Sequence, residues 1–236
     1  MRTDNRLSSL CVTIGCLALP LASSAQYQNS ATGQTYNNSY SAMLSVTNTM
    51  TQNFTTMQRQ YLGSISKMSS AYGARSTPGQ PAQPQFPITA TDFRGAAGRE
   101  LPERLSSAIA PEQQGAVQTL CNQLLAEYEK TNRRNNIASA LVYSLRISLE
   151  IDRGKKLSIA ETGAAIRFFN NSLAASAEFR AMTPDQKQIL YESTILTGGM
   201  AAVLYLQGRQ QNNPAMQLQG REIAQSILRQ WAGIAE

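Results

Sequence analysis

Apolar side chains recur every three or four residues from about residue 88 to the end of the chain, a spacing that predicts amphipathic α-helices. No window alternates apolar and polar residues over a length sufficient for a sheet. Start and stop signals divide 88–236 into six helices. We therefore expect an all-α protein whose C-terminal part is a helical bundle of five to six helices. A solenoid of helix pairs is the alternative, but no fixed-period repeat supports it.

Prolines and small polar side chains mark where these helices begin. Proline fits the first turn because no N–H is needed there, and Asn, Ser and Thr satisfy free N–H groups as caps. Ser158 with Glu161 forms one predicted capping box, and Thr183 with Gln186 forms another. Gly154 is the predicted end of the third helix. The six predicted starts are Pro102, Pro111, Asn135 or Asn136, Ser158, Thr183 and Asn213.

Gly198 and Gly199 fall inside the fifth predicted helix. Two glycines in a helix interior cost about 2 kcal/mol relative to alanine, so another interaction has to offset that loss. We expect a neighbouring helix to cross closely at this point, and a local kink is the alternative.

The region between a predicted signal peptide and the bundle, 26–87, is polar and of low complexity. Residues 26–42 carry no charge and few apolar side chains, so they cannot bury enough surface to offset the entropy lost on ordering. We expect this stretch to be disordered. Four prolines and two glycines make 71–87 an extended, semi-stiff linker.

One amphipathic helix is predicted inside this region, at 43–69. Its larger side chains follow a 3.5-residue repeat on one face, and Thr47 and Ser64 fill the two remaining positions of that face. The face can pack on the chain's own domain, or it can mediate self-association or docking of a protein partner. A third alternative is no stable structure, because Thr, Ser and Asn are poor helix formers. The candidate association face comprises Met50, Phe54, Met57, Tyr61 and Met68, with Met43 at its start.

Residues 1–25 have the layout of a secretory signal peptide. A short basic start precedes a largely apolar stretch at 7–21, which is too short to anchor in a bilayer, and small residues at 23–25 suit a signal peptidase. We therefore expect export to the periplasm or beyond the cell. Lipid attachment at Cys16 is the alternative, although apolar residues continue past that cysteine.

The composition excludes several chemistries. The chain has no histidine, which excludes Ser-His-Asp and Cys-His catalysis and histidine-ligated metals. Removal of a signal peptide would leave only Cys121, which excludes an internal disulfide and a cysteine-ligated cluster. Cys121 lies in an apolar stripe, so we expect a buried, inert thiol. We expect no cofactor and no metal, since no calcium-loop spacing is present.

The net charge of +6 is compatible with an anionic partner but does not identify one. Two basic clusters flank the third helix and would lie about 25 Å apart at 1.5 Å per residue. Each also lies near a helix C-terminus, where positive charge is favoured without any ligand. No nucleic-acid-binding module is present, and we expect no specific nucleic acid. The clusters are Lys130, Arg133 and Arg134, and Arg153, Lys155 and Lys156.

Glu192 is the candidate catalytic acid. It lies one helical turn from both Ile189 and Leu196, at the edge of an apolar stripe. Burial would raise the pKa of its carboxyl towards that of a general acid. A buried ion pair with Arg146 or Arg167 is the structural alternative. A glycosidase would also need a second carboxylate across a cleft, and the sequence does not indicate one.

Several short motifs within 88–236 resemble those of an exported bacterial family known only as a domain of unknown function. They are Thr91-Asp92-Phe93, Asn135-Asn136-Ile137-Ala138, Pro184-Asp185-Gln186-Lys187-Gln188, Tyr191-Glu192 and Gly198-Gly199-Met200. The resemblance implies a signal peptide, a variable polar segment and an all-helical C-terminal domain. The resemblance implies no activity and identifies no functional residues. The polar segment 26–87 lies outside it.

These features favour an exported, non-enzymatic binding or assembly protein that associates through 43–69. One alternative is a small periplasmic hydrolase that uses carboxylates, centred on Glu192. The other is a protein that binds anionic polymers such as nucleic acid or lipopolysaccharide. That alternative requires the two basic clusters to converge on one surface.

Overall fold

A computed structural model gives the structure of residues 85–95, 98–107 and 111–230. The predicted signal peptide, the polar stretch 26–42 and the candidate association helix 43–69 lie outside these residues. Residues 85–87 are the described part of the predicted linker.

Helices dominate the described residues. A short 3-10 turn at Ile88–Thr91 precedes seven α-helices. The described ranges contain no β-strand, and a single antiparallel bridge joins Asp92 to Asn136. The predicted all-α fold is confirmed. The helices are α1 Glu100–Ser107, α2 Pro111–Thr131, α3 Ile137–Arg153, α4 Ile159–Ala175, α5 Ala177–Ala181, α6 Pro184–Gln210 and α7 Pro214–Gln230.

Most helix boundaries follow the local signals in the sequence, although α1 begins at Glu100, two residues before the predicted start at Pro102. Asn136, rather than Asn135, caps α3 by accepting the Ser139 N–H at 2.8 Å. Gly154 ends that helix in the left-handed conformation with φ +64°. Both predicted capping boxes form, at the starts of α4 and α6. These boundaries depend on contacts within about one turn, which is why the sequence predicted them.

The helix count is the point where the sequence prediction was wrong. The described residues hold seven helices rather than five to six, because the short α5 was missed. Ser176 ends α4 and also caps α5, since its hydroxyl accepts the Phe179 N–H at 3.2 Å. A helix of five residues is too short to show a 3.6-residue apolar repeat.

The bundle is built around α6, which packs against α1, α2, α3 and α7. Helix α3 lies beside it and also contacts α4 and α7. This arrangement around one central helix is a bundle rather than a stack of helix pairs. Among the described helices, α6 alone is long and apolar enough to cross a membrane, with a mean hydropathy of 1.4. Inside the bundle, 83% of that apolar window is buried, as expected for a core helix.

Glycines allow the helices around α6 to approach closely. A Cβ on Gly198 would lie 3.0 Å from the Cα of Ser144 on α3, which confirms the predicted close crossing. Sequence reasoning missed a second crossing, between α6 and α7. A Cβ on Gly208 would lie 2.6 Å from the Gln217 nitrogen, and one on Gly220 would lie 2.6 Å from the Tyr205 nitrogen. Backbone at such distances cannot yield as a flexible side chain would, so both positions require glycine.

Candidate functional site

Glu192 lies in the core of the bundle, on α6, with 3% of its surface exposed. Its Oε2 accepts the backbone N–H of Leu101 at 2.9 Å, and its Oε1 accepts the Gln188 side-chain amide at 2.9 Å. Leu101 lies in the first turn of α1, where N–H groups have no partner within the helix. The carboxylate of Glu192 therefore acts as a cap supplied by another helix, and the helix dipole favours its negative charge there.

Gln188 extends this contact by one turn of α6. Its side-chain nitrogen also donates to the carbonyl of Gly98 at 2.6 Å. Gln188 and Glu192 thus hold both the approach to α1 and its first turn against the central helix. Arg167, one of the two predicted ion-pair partners, is exposed on α4 and makes no ion pair among the described residues.

Cys121 lies beside this carboxylate on α2 and is 1% exposed. Burial, and after it the charge of Glu192, raises the pKa of the Cys121 thiol to about 12. The thiolate is the reactive form, so this cysteine is unreactive near neutral pH. The structure agrees with the expected buried, inert thiol.

A second buried polar cluster fixes residues 86–93 to the bundle, and we call this segment the strap. Asn136 is at its centre and is fully buried. Its side-chain nitrogen lies 2.7–3.0 Å from three strap oxygens: Ile88 O, Thr91 Oγ1 and Asp92 Oδ1. Its Oδ1 simultaneously caps α3. One side chain therefore both starts a helix and holds the strap.

Asp92 and Arg133 close the strap on its outer side. The guanidinium of Arg133 donates two hydrogen bonds to the Asp92 carboxylate, one of them at 2.9 Å from Nε to Oδ1. This bidentate contact, joined by the bond from Asn136, outweighs burial and lowers the pKa of Asp92 below its ordinary value of 3.8. The backbone N–H of Phe93 donates to Asn135 O at 3.0 Å, next to the same pair.

Helix α4 holds the first residues of the strap. Asn170 accepts a hydrogen bond from the Thr91 hydroxyl at 3.0 Å and donates to the carbonyls of Phe86 and Pro87. Its neighbour Asn171 accepts the Phe86 N–H at 3.0 Å. Phe86 and Pro87 lie at the end of the predicted linker, yet they are bonded to the bundle.

Aromatic rings connect the strap to the core. Phe93 packs edge-on against Tyr191, with ring centroids 5.3 Å apart. Tyr191 in turn meets Tyr128 at 5.7 Å, and Tyr128 meets Tyr143 at 5.0 Å. Burial raises the pKa of all three tyrosines, so their hydroxyls stay protonated at physiological pH. The row of rings serves packing rather than proton transfer.

Each member of the two basic clusters lies within 4 Å of a carboxylate, although Arg134 shares Glu129 with Arg99, which is closer to it at 3.0 Å. The six ion pairs, with their N···O distances, are Lys130–Glu127 (2.6 Å), Arg133–Asp92, Arg134–Glu129 (3.9 Å), Arg153–Asp152 (3.8 Å), Lys155–Glu161 (3.5 Å) and Lys156–Glu150 (3.2 Å). Pairing of this kind weakens the field that an anionic polymer would meet. No group of three acidic or cysteine side chains that could hold a metal occurs in the described ranges.

One apolar surface continues beyond the bundle, on α4. Ile159, Thr162, Ile166, Phe169 and Leu173 follow a spacing of three and four residues and so share one face of the helix. Phe169 and Leu173 are buried in the core. Thr162 and Ile166 are only half-buried, and Ile159 is 90% exposed. We call Ile159, Thr162 and Ile166 the open end of the α4 stripe.

The sequence of this chain matches one known family along most of its length. The model of the family of unknown function DUF6683 matches residues 6–236. The chain belongs to this family. The resemblance to a helical family of unknown function is thereby confirmed, and it extends over 26–87, which sequence reasoning placed outside it. No curated protein and no solved structure matches the chain.

Most of the motifs on which the resemblance rested meet in this family member at the strap and α1. Asp92 bonds to Asn136, Phe93 packs on Tyr191, and Glu192 caps α1. Sequence reasoning identified Glu192 and a cap at Asn135 or Asn136, but it missed Asn170 and the open end of the α4 stripe. A polar pair directly after Phe168 and Phe169 was the available signal for Asn170. The candidate association face, Met50 to Met68, lies outside the described residues.

Proposed function

We propose that this protein is an exported, non-enzymatic binding or assembly component that works in the periplasm or outside the cell. Its association segment is the amphipathic helix predicted at 43–69. The observation that carries the proposal is the open end of the α4 stripe. Ile159 is 90% exposed on the same helix face that buries Leu173, so this face offers apolar surface that a further contact would remove from water.

The geometry around Glu192 favours this reading over the hydrolase. A carboxylate that acts as general acid must reach a substrate oxygen, usually opposite a second carboxylate across a cleft. Both oxygens of Glu192 instead accept hydrogen bonds from Leu101 and Gln188 inside the core. The paired state of the basic clusters similarly weighs against an anionic-polymer binder.

The proposal is tested by the mass of the full chain in solution across a range of protein concentrations. We compare the wild type with a Phe54→Asp/Met57→Asp variant, which places two charges on the predicted association face. A Gln52→Asp/Thr55→Asp variant adds the same charges to the opposite face and serves as the control.

We expect the mass of the wild type and of the control to rise with concentration, and that of the Phe54→Asp/Met57→Asp variant to stay monomeric. Two buried carboxylates would have to be desolvated at the contact, which opposes association. A monomeric mass for all three proteins at every concentration would overturn self-association through 43–69.

A further inference from the structure

The described chain meets the bundle on α4, the helix that carries the open end of the stripe. Phe86 is bound by Asn170 and Asn171, which lie on α4 itself. The described chain therefore starts at the second half of α4. Along the helix axis, Ile159 lies about 18 Å from Asn171 at 1.5 Å per residue.

The predicted linker is long enough to bring 43–69 to this surface. Extended at about 3.1 Å per residue, residues 70–84 span about 45 Å, more than twice the distance needed. A tether whose reach exceeds the span in this way holds the segment at an effective concentration on the order of millimolar. At micromolar protein concentration, a contact within one chain is therefore favoured over the same contact between chains.

The two surfaces also match in spacing and charge. The face of 43–69 repeats every 3.5 residues, and the α4 stripe has the same alternation of three and four. Two helices with this spacing can pack side by side over the open end, Ile159 to Ile166, since Phe169 and Leu173 are already buried in the core. Neither face carries a charged side chain, so their contact desolvates no ion.

We propose that, in the isolated chain, residues 43–69 cover the open end of the α4 stripe of the same molecule. This inference rests on the proposed function, because it names the surface that the association segment contacts when no partner is bound. Association then occurs when 43–69 is exchanged between copies, as in domain swapping, or when a partner displaces it from α4.

Photo-crosslinking on the full chain tests the contact. The crosslinking residue benzoylphenylalanine replaces Ile159 in one protein and Arg221, exposed on α7, in a reference protein. Unlabelled and ¹⁵N-labelled chains are mixed at about 1 µM, far below the millimolar effective concentration of a tethered segment. Mass spectrometry then identifies the crosslinked peptides and shows whether both come from one chain. Because Ile159 is almost fully exposed, its replacement leaves the bundle folded, which a thermal melt verifies.

We expect crosslinks from position 159 to peptides of 43–69 within one chain, and none from position 221. Phe54→Asp/Met57→Asp should lower their yield at least about tenfold, corresponding to about 1.4 kcal/mol, while Gln52→Asp/Thr55→Asp leaves it unchanged. Crosslinks between labelled and unlabelled chains, crosslinks to other segments, or equal yields from both positions would overturn the proposal. The mass measurement is independent of this result, so association and docking within one chain can fail separately.

Discussion

The two halves of α4 differ although they belong to one continuous helix. The second half buries Phe169 and Leu173 in the core and binds the strap through Asn170. In the first half, 159–167, no residue is buried, and the apolar stripe runs out into solvent at Ile159. The first half is nevertheless well formed, because the Ser158–Glu161 capping box fixes its start.

The second half of α4 therefore helps to stabilise the fold, whereas the first half keeps an apolar surface available for contact with another segment or molecule. Around the strap and α1, buried polar side chains such as Asn136, Asn170 and Glu192 make several specific hydrogen bonds. Such groups stabilise one arrangement, since leaving any of their partners unpaired is costly. The first half of α4 contains no buried polar side chain of this kind. We propose that its apolar surface contacts another segment or molecule.

The largest expected effect comes from truncating the buried end of the α4 stripe. Leu173→Ala should lower the free energy of unfolding by about 2–5 kcal/mol, because it removes a fully buried side chain and leaves a cavity in the core. Ile159→Ala, on the same face, should change the stability of the bundle by less than about 0.5 kcal/mol. Urea unfolding of both variants measures the difference. Similar losses of unfolding free energy in the two variants would contradict the difference in burial between the two halves of α4.

Removing a strap contact should have the next largest effect. Asn170→Ala removes the acceptor of the Thr91 hydroxyl and one donor from each of the carbonyls of Phe86 and Pro87, which we expect to cost about 1–3 kcal/mol. Asn171→Ala removes only the half-buried hydrogen bond from the Phe86 N–H and serves as the matched control. Chemical denaturation gives both values, and hydrogen exchange at Phe93 N–H reports whether the strap has loosened. An equal or larger loss for Asn171→Ala would refute a central role of Asn170.

Glu192→Gln tests the structural role of the candidate catalytic acid. The variant replaces one acceptor oxygen with an NH₂ group, which cannot accept from Leu101 N–H or from Gln188. We expect a loss of about 1–3 kcal/mol, typical of a buried bond to a charged acceptor, and faster hydrogen exchange at Leu101. Glu103→Gln, exposed on α1, is the control. If Glu192→Gln is no more destabilising than this control, the capping role is wrong.

The smallest expected effect is the pH dependence of the strap. Because Arg133 lowers the pKa of Asp92 in the folded state, this carboxylate adds stability above its unfolded pKa near 3.8. That contribution is lost as the pH falls through the lower folded-state pKa. The stability difference between wild type and Asp92→Asn should therefore be constant from pH 7 to 5 and shrink below about pH 4. Thermal melts from pH 7 to pH 2 measure this stability difference. A difference that stays unchanged down to pH 2 would contradict the prediction.

Local signals in the sequence determined much of the fold. The caps at Ser158 and Thr183, the prolines at 111 and 184 and the terminating Gly154 specified helix boundaries, because each acts within about one turn. The glycines at 198 and 199 predicted a close crossing, since their cost needed a compensating contact. The apolar periodicity indicated the buried face of the outer helices, whereas α6 is buried on every side from Leu190 to Leu204.

Tertiary structure decided which of these local features meet. Glu192 reaches Leu101, and Asn170 reaches Thr91, across long stretches of chain that no local pattern connects. The α4 stripe shows the same division: its spacing fixes the direction of Ile159 and Leu173 alike. Whether a neighbouring helix covers that direction depends on where the bundle ends. Periodicity is a property of one helix, whereas burial is a property of its neighbours.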